Sequence, residues 1–88
     1  MDLIHEYLVH SYLYYCLADT LISDYEFDDL CKTINKNWET LDSEYKQFLL
    51  DNNETPGLIK GLELFQSDYP VDVLEDAQLR LAKRDCNG

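Results

Sequence analysis

The first 31 residues of this chain contain no lysine and no arginine, and the whole of it has seven such cations against eighteen aspartates and glutamates. That shortage excludes the usual grip on DNA or RNA, which neutralises phosphates with basic side chains. It also disfavours an anionic membrane, while a net charge of −11 draws the chain toward basic surfaces. No segment alternates apolar and polar residues as a half-buried strand does, and no repeat is visible. The apolar run from Tyr12 to Ala18 is far too short to cross a bilayer, and no stretch has the shape of a signal peptide. Three cysteines, Cys16, Cys31 and Cys86, are an odd number without metal-ligand spacing. Cys16 and Cys31 fall among apolar residues and read as small core hydrophobes. A reduced, cytoplasmic setting is the expectation.

Catalytic and metal signatures are missing as well. No Ser-His-Asp or Cys-His arrangement follows from the spacing, and His5 and His10 on the first helix read as structural. Asp51-Asn52-Asn53-Glu54 lacks the glycine and the distal glutamate of a calcium loop. Asn53-Glu54-Thr55 has the glycosylation pattern but reads as chance without a secretory route. No catalytic residue and no metal ligand is therefore assigned.

What is present is a core. Hydrophobic residues make up 45% of the chain and aromatics 12%, enough to fold despite the charge. Eighty-eight residues suffice for one domain (1–88), burying about 60–65% of its unfolded surface, and favour a binding module over an enzyme with a large cleft. Residues 3–18 lack Gly and Pro and predict a helix apolar on more than one face, with Ile4, Leu8, Tyr12 and Tyr15 on one side and Leu3, Tyr7, Tyr14 and Leu17 nearby. Such a helix is buried against two or more neighbours. Ser23 with Glu26 forms a capping box opening a second helix, whose stripe is Phe27, Leu30, Cys31, Ile34 and Trp38. Asp42 or Ser43 caps a third, carrying Tyr45, Phe48 and Leu49. Thr55-Pro56 reads as the start of a fourth, with Leu58, Ile59, Leu62 and Phe65 inward. Tyr69-Pro70 opens a last helix from about Val71 to Arg84, with Val73, Leu74, Ala77 and Leu81 inward and Arg80, Lys83 and Arg84 at the end its dipole favours. The fold class is all-α, a compact bundle of four to five short helices.

The stretch from Ile22 to Leu30, ISDYEFDDL, sets four carboxylates within the six residues Asp24–Asp29, just beyond the pair Tyr14-Tyr15. The segment His10–Leu30, H-S-Y-L-Y-Y-C-L-A-D-T-L-I-S-D-Y-E-F-D-D-L, resembles the N-terminal Ia domain of bacterial NAD-dependent DNA ligases. That domain carries a tyrosine-containing pair, a short link and a pattern close to I-S-D-x-E-Y-D-x-L. Leu30-Cys31, Asn37-Trp38 and Tyr69-Pro70 also look like small phage proteins often labelled ligase-related, whose function is generally unassigned. The resemblance implies a surface for the nicotinamide mononucleotide (NMN) half of NAD. Carried over by position, Tyr14 and Tyr15 would hold the ring region, Asp24 and Asp28 the ribose hydroxyls or carboxamide, and Phe27 would stack. The chemistry is coherent, because the oxidised nicotinamide ring is a cation that aromatic faces attract and carboxylates offset. Phe27 stands where the ligases place Tyr, Tyr15 where some have His, Ala18 for a common acid and Thr20 for a common Pro. With no K-x-D-G nucleophile, no zinc cysteines and no Gly-rich phosphate loop, ligase activity is excluded.

Plainer readings compete at each position. Phe27 is in register with the core stripe, and Asp24 suits a helix start by dipole and capping chemistry. Asp28 and Asp29 suit a solvated face, with Lys32 one turn from Asp28. The expectation is a small non-catalytic, phage-type accessory interaction protein, in the host cytoplasm if phage encoded. It would need no cofactor but would take NMN or NAD weakly, near the millimolar range of about −4 kcal/mol, or complete such a site on a partner. The alternative is an acidic inhibitor of the DNA-mimic kind (anti-restriction or anti-CRISPR) that offers Asp24, Glu26, Asp28 and Asp29 to the basic groove of a host enzyme. Seven tyrosines exceed what one small core needs, leaving a homodimer open.

Overall fold

Asp2 starts the first helix. Its Oδ1 accepts the N–H groups of Ile4 (3.0 Å) and His5 (3.1 Å), two of the donors every helix start leaves unmatched. The computed structural model describes residues 2–59 and 61–87, with side chains to residue 84, which leaves the Cys86 thiol outside the described groups. Helix α1 (Leu3–Tyr15) is followed by α2 (Asp24–Asn37), α3 (Tyr45–Asp51) and α4 (Val71–Asn87), with one 3₁₀ turn at Gln66–Asp68 and no strand among the described residues. The radius of gyration is 12.6 Å, against about 12 Å for a compact chain of this length.

Helix α1 is the axis of the bundle. Every residue from Tyr7 to Leu13 is buried, and α1 packs on α4, α2 and α3. A helix apolar all round must be surrounded, and three neighbours surround this one. Helix α2 contributes a single stripe, with Cys31 and Ile34 buried and Phe27, Leu30 and Trp38 partly so. Its N-terminus is capped by Ser23, whose Oγ accepts from Glu26 N–H at 3.1 Å. Among the described residues the Glu26 carboxylate makes no return bond, so only half of the predicted capping box forms. Val73 and Ala77 of α4 are buried, with Leu74 and Leu81 at the edge of the core.

Polar ties fix the helices in place. Ser43 Oγ donates to Asp2 Oδ2 (2.9 Å) and accepts from Tyr45 N–H (3.1 Å), joining the starts of α1 and α3. The Arg80 guanidinium of α4 forks onto Glu6 of α1 at 2.6 and 2.8 Å and onto Asp76 at 2.9 and 3.1 Å. Asp76 also meets His5 Nε2 at 2.7 Å, and Tyr45 donates to Asp72. Arg84 forks onto Asp19, in the link after α1, at 2.6 and 2.9 Å.

Two expectations need correction. Helix α1 stops at Tyr15 rather than near 18, because the chain reverses at Ala18 (φ +50°) and Asp19 N–H bonds the Leu13 carbonyl at 3.0 Å. The predicted helix from Thr55 does not form. A single turn at Thr55–Leu58 is followed by irregular chain at Ile59 and over 61–65, with Gly57 at φ +88° and Gly61 at φ +149°. Each glycine costs a helix about 1 kcal/mol relative to alanine. Side chains then meet this segment's backbone needs instead: Asn35 donates to the Ile59 carbonyl (2.9 Å) and accepts from Ile59 N–H (2.8 Å). Tyr69 donates to the Leu62 carbonyl at 2.6 Å and Cys16 Sγ to that of Leu64 at 3.1 Å. Ile59 and Leu62 are buried as expected, but Leu58 and Phe65 face solvent.

Candidate functional site

The seven tyrosines divide by depth. Tyr7, Tyr12, Tyr45 and Tyr69 are core residues, whereas Tyr14, Tyr15 and Tyr25 are exposed. The exposed three lie together. With Asp24, Phe27 and Asp28 they line a shallow open recess of about 630 Å³ between the end of α1 and the start of α2. That volume is within the range of small-molecule sites, though an open wall leaves one side of any ligand wet.

The floor is a stack of rings running outward from the core. Tyr7 and Phe27 are 5.8 Å apart at 17°, and Phe27 and Tyr14 are 6.3 Å apart at 9°. Tyr14 meets Tyr15 edge to face at 4.9 Å. At the inner end Tyr7 donates to Glu54 at 3.3 Å, and burial holds the Glu54 carboxyl above its usual range. Phe27 is thus partly buried, stacked with both Tyr7 and Tyr14, and still lines the recess. Tyr15 is held from behind by Gly61, where a β-carbon would come within 2.5 Å of the Tyr15 hydroxyl. Burial, and then neighbouring Tyr14, raises the Tyr15 phenol above its ordinary value.

The acids come from the exposed side of α2. Asp24 and Asp28, one turn apart, open onto the recess, and Lys32 reaches Asp28 at 3.3 Å on the exposed surface, a pair worth about 0.3–0.5 kcal/mol. Glu26 and Asp29 are exposed but do not line the recess, because they project from other sides of the helix. Among the described residues the hydroxyls of Tyr14, Tyr15 and Tyr25 and the Asp24 carboxylate are not engaged with other groups of the chain. They remain available to a ligand. The chain matches no family model, no curated protein and no solved structure.

Tyr25 is the lining residue that sequence reasoning passed over, although its position beside Asp24 and three before Asp28 puts it on the same side of α2. The backing of Tyr15 by Gly61 had no local signal, since 46 positions separate them. The histidines stand apart from the recess. His5 joins Asp76, and His10 is buried with Nε2 at 3.6 Å from Glu6 and Nδ1 without a partner among the described residues. Burial lowers the His10 pKa against the pull of Glu6. Burial also pushes the Cys31 thiol up to about 11, which makes it a packing group and not a nucleophile. Among the described residues no group of three His, Cys, Asp or Glu is placed to hold a metal ion, and no helix is long and apolar enough to cross a membrane.

Proposed function

We propose that this chain is a small non-catalytic accessory protein whose tyrosine–carboxylate recess receives a flat cationic ring, the nicotinamide of NMN or NAD being the candidate that the ligase Ia-like pattern suggests. The observation that carries this reading is the convergence of Tyr14, Tyr15, Asp24, Phe27 and Asp28 on one concavity, with Tyr25 added. Aromatic edges and faces there meet a positive ring, and the two carboxylates offset its charge or accept ribose hydroxyls. An open wall makes the binding weak, or makes this recess half of a site that a larger partner completes. A cytoplasmic role in a phage-infected host belongs to the same reading. Titration with NMN tests it: amide resonances of Tyr14, Tyr15, Asp24 and Asp28 should shift with a dissociation constant of about 1 mM. No movement at about 10 mM, tenfold above that value, would remove the nicotinamide assignment.

A second reading is supported by where the cations go. Arg80 and Arg84 are engaged by Glu6, Asp76 and Asp19. Asp24, Glu26, Asp28 and Asp29 stay on the surface with Lys32 alone opposite Asp28 among the described residues. That face suits the basic nucleic-acid groove of a host enzyme, as a DNA mimic or inhibitor would. A complex with such an enzyme should dissociate near 1 M salt, where the Debye length is about 3 Å, and should fail to form with Asp28→Lys/Asp29→Lys.

A further inference from the structure

A second recess, of about 640 Å³, shares Tyr15 with the first and includes Glu63, Phe65 and Asp68 in its lining. Its composition repeats that of the first: two carboxylates with aromatic rings, and no lysine or arginine among the described lining residues. Tyr15 is the residue common to the two linings, and the absence of a side chain at Gly61 leaves room for its ring and hydroxyl. Phe65 is 81% exposed although its neighbour Leu64 is tucked in, so the segment spends a large ring on solvent at the lip of this recess.

We infer that the two recesses form one bipartite site for a basic segment of a partner protein, with two arginine side chains straddling Tyr15, one guanidinium in each recess. The inference rests on the reading of the tyrosine face as a cation-receiving surface and adds the second slot and the class of partner. The second slot disfavours the remainder of a dinucleotide, because Glu63 and Asp68 repel a pyrophosphate. Guanidinium fits both slots better than ammonium. It is flat, stacks on an aromatic face and forks onto a carboxylate, whereas lysine offers only a hydrated point charge. Because one ring lines both slots, two cations on the same strand can be held at once, and the second contact gains from effective concentration.

Capped Gly-Ser peptides carrying two arginines, separated by one to four residues, test this by amide chemical-shift titration. At the best spacing the diarginine peptide should move Asp24 and Asp28 together with Glu63, Phe65 and Asp68, and bind at least about tenfold tighter than a single-arginine peptide. Phe65→Ala, which alters only an exposed ring, and Tyr15→Ala should each remove that gain while the helical circular dichroism is kept. Equal affinity for one and two arginines, shifts confined to one recess, or a dilysine peptide binding as tightly at the same salt would each overturn the inference. NMN run in parallel separates the two claims. Failure of NMN with success of the diarginine peptide removes the nicotinamide reading and supports this one. Shifts by NMN at Asp24 and Asp28, with no diarginine response at Glu63 and Asp68, would do the reverse.

Discussion

Replacing Arg80 by methionine keeps the apolar stem against α1 and deletes the fork that joins α4 to Glu6. Four hydrogen bonds are lost, two to Glu6 and two to Asp76. The Arg80 side chain is 26% exposed and those of its partners 20% and 31%, so the cluster lies between the surface case, worth about 0–1 kcal/mol, and the buried case, where orphaning a charge costs about 3–5 kcal/mol. A loss of about 2–3 kcal/mol follows. For a chain of this length each kcal/mol moves the melting temperature by about 4–8 °C, so Arg80→Met should melt about 10–20 °C lower at pH 7. The hydrogen bonds from Arg80 hold the Glu6 carboxyl below its usual value, and those from Arg80 and His5 outweigh partial burial to do the same at Asp76. Groups with depressed folded values contribute stability above their unfolded values, 4.5 and 3.8, and lose it as pH falls through the lower folded ones. The gap between wild type and variant should therefore narrow below about pH 4. Thermal melts by circular dichroism at pH 7 and pH 3 measure both effects. A difference under about 2 °C at pH 7, or an undiminished one at pH 3, would refute the argument that this fork clamps α1 to α4.

Two further outcomes follow from single contacts. His10 sits neutral in the core with its pKa lowered by burial, so the unfolded chain takes up a proton first as pH drops below 6.5. As pH falls below about 6.5, wild type should then lose stability faster than His10→Gln, as urea midpoints at several pH values would show; parallel curves would count against a buried neutral imidazole. Asn35→Ala orphans both the buried Ile59 N–H and its carbonyl, at about 1–3 kcal/mol. Amide exchange at Ile59 should accelerate far more than at Leu8, and equal protection in the two proteins would show the segment is held by its side chains alone.

The helices that could be read from the sequence were those whose signals are local. Ser23 three residues before Glu26, and the stripe from Phe27 to Ile34, place α2 closely because capping and one-sided burial act within a few residues. The apolar character of residues 3–18 on more than one face announced a helix buried against two or more neighbours for the same reason, although that helix ends at Tyr15. Residues 55–65 misled because Thr55-Pro56 and the spacing of Leu58, Ile59 and Leu62 imitate a helix. What decides their path is Asn35 and Tyr69 taking over backbone hydrogen bonds from elsewhere in the chain. The tyrosine–acid recess was partly legible, since Asp24 and Asp28 share a helical side and Tyr14-Tyr15 adjoin the link. Its second half was not, because Glu63, Phe65 and Asp68 reach Tyr15 only through the irregular course of that segment.

The position of α1 at the centre also has a consequence for synthesis. It leaves the ribosome well before the helix that seals it, since about 56 residues separate Tyr15 from Val71. At about 5–20 residues per second that interval is roughly 3–11 s, during which a sticky, nearly uncharged rod has only part of its sheath. Shortening the delay by faster translation of residues 45–84 should therefore raise the soluble yield.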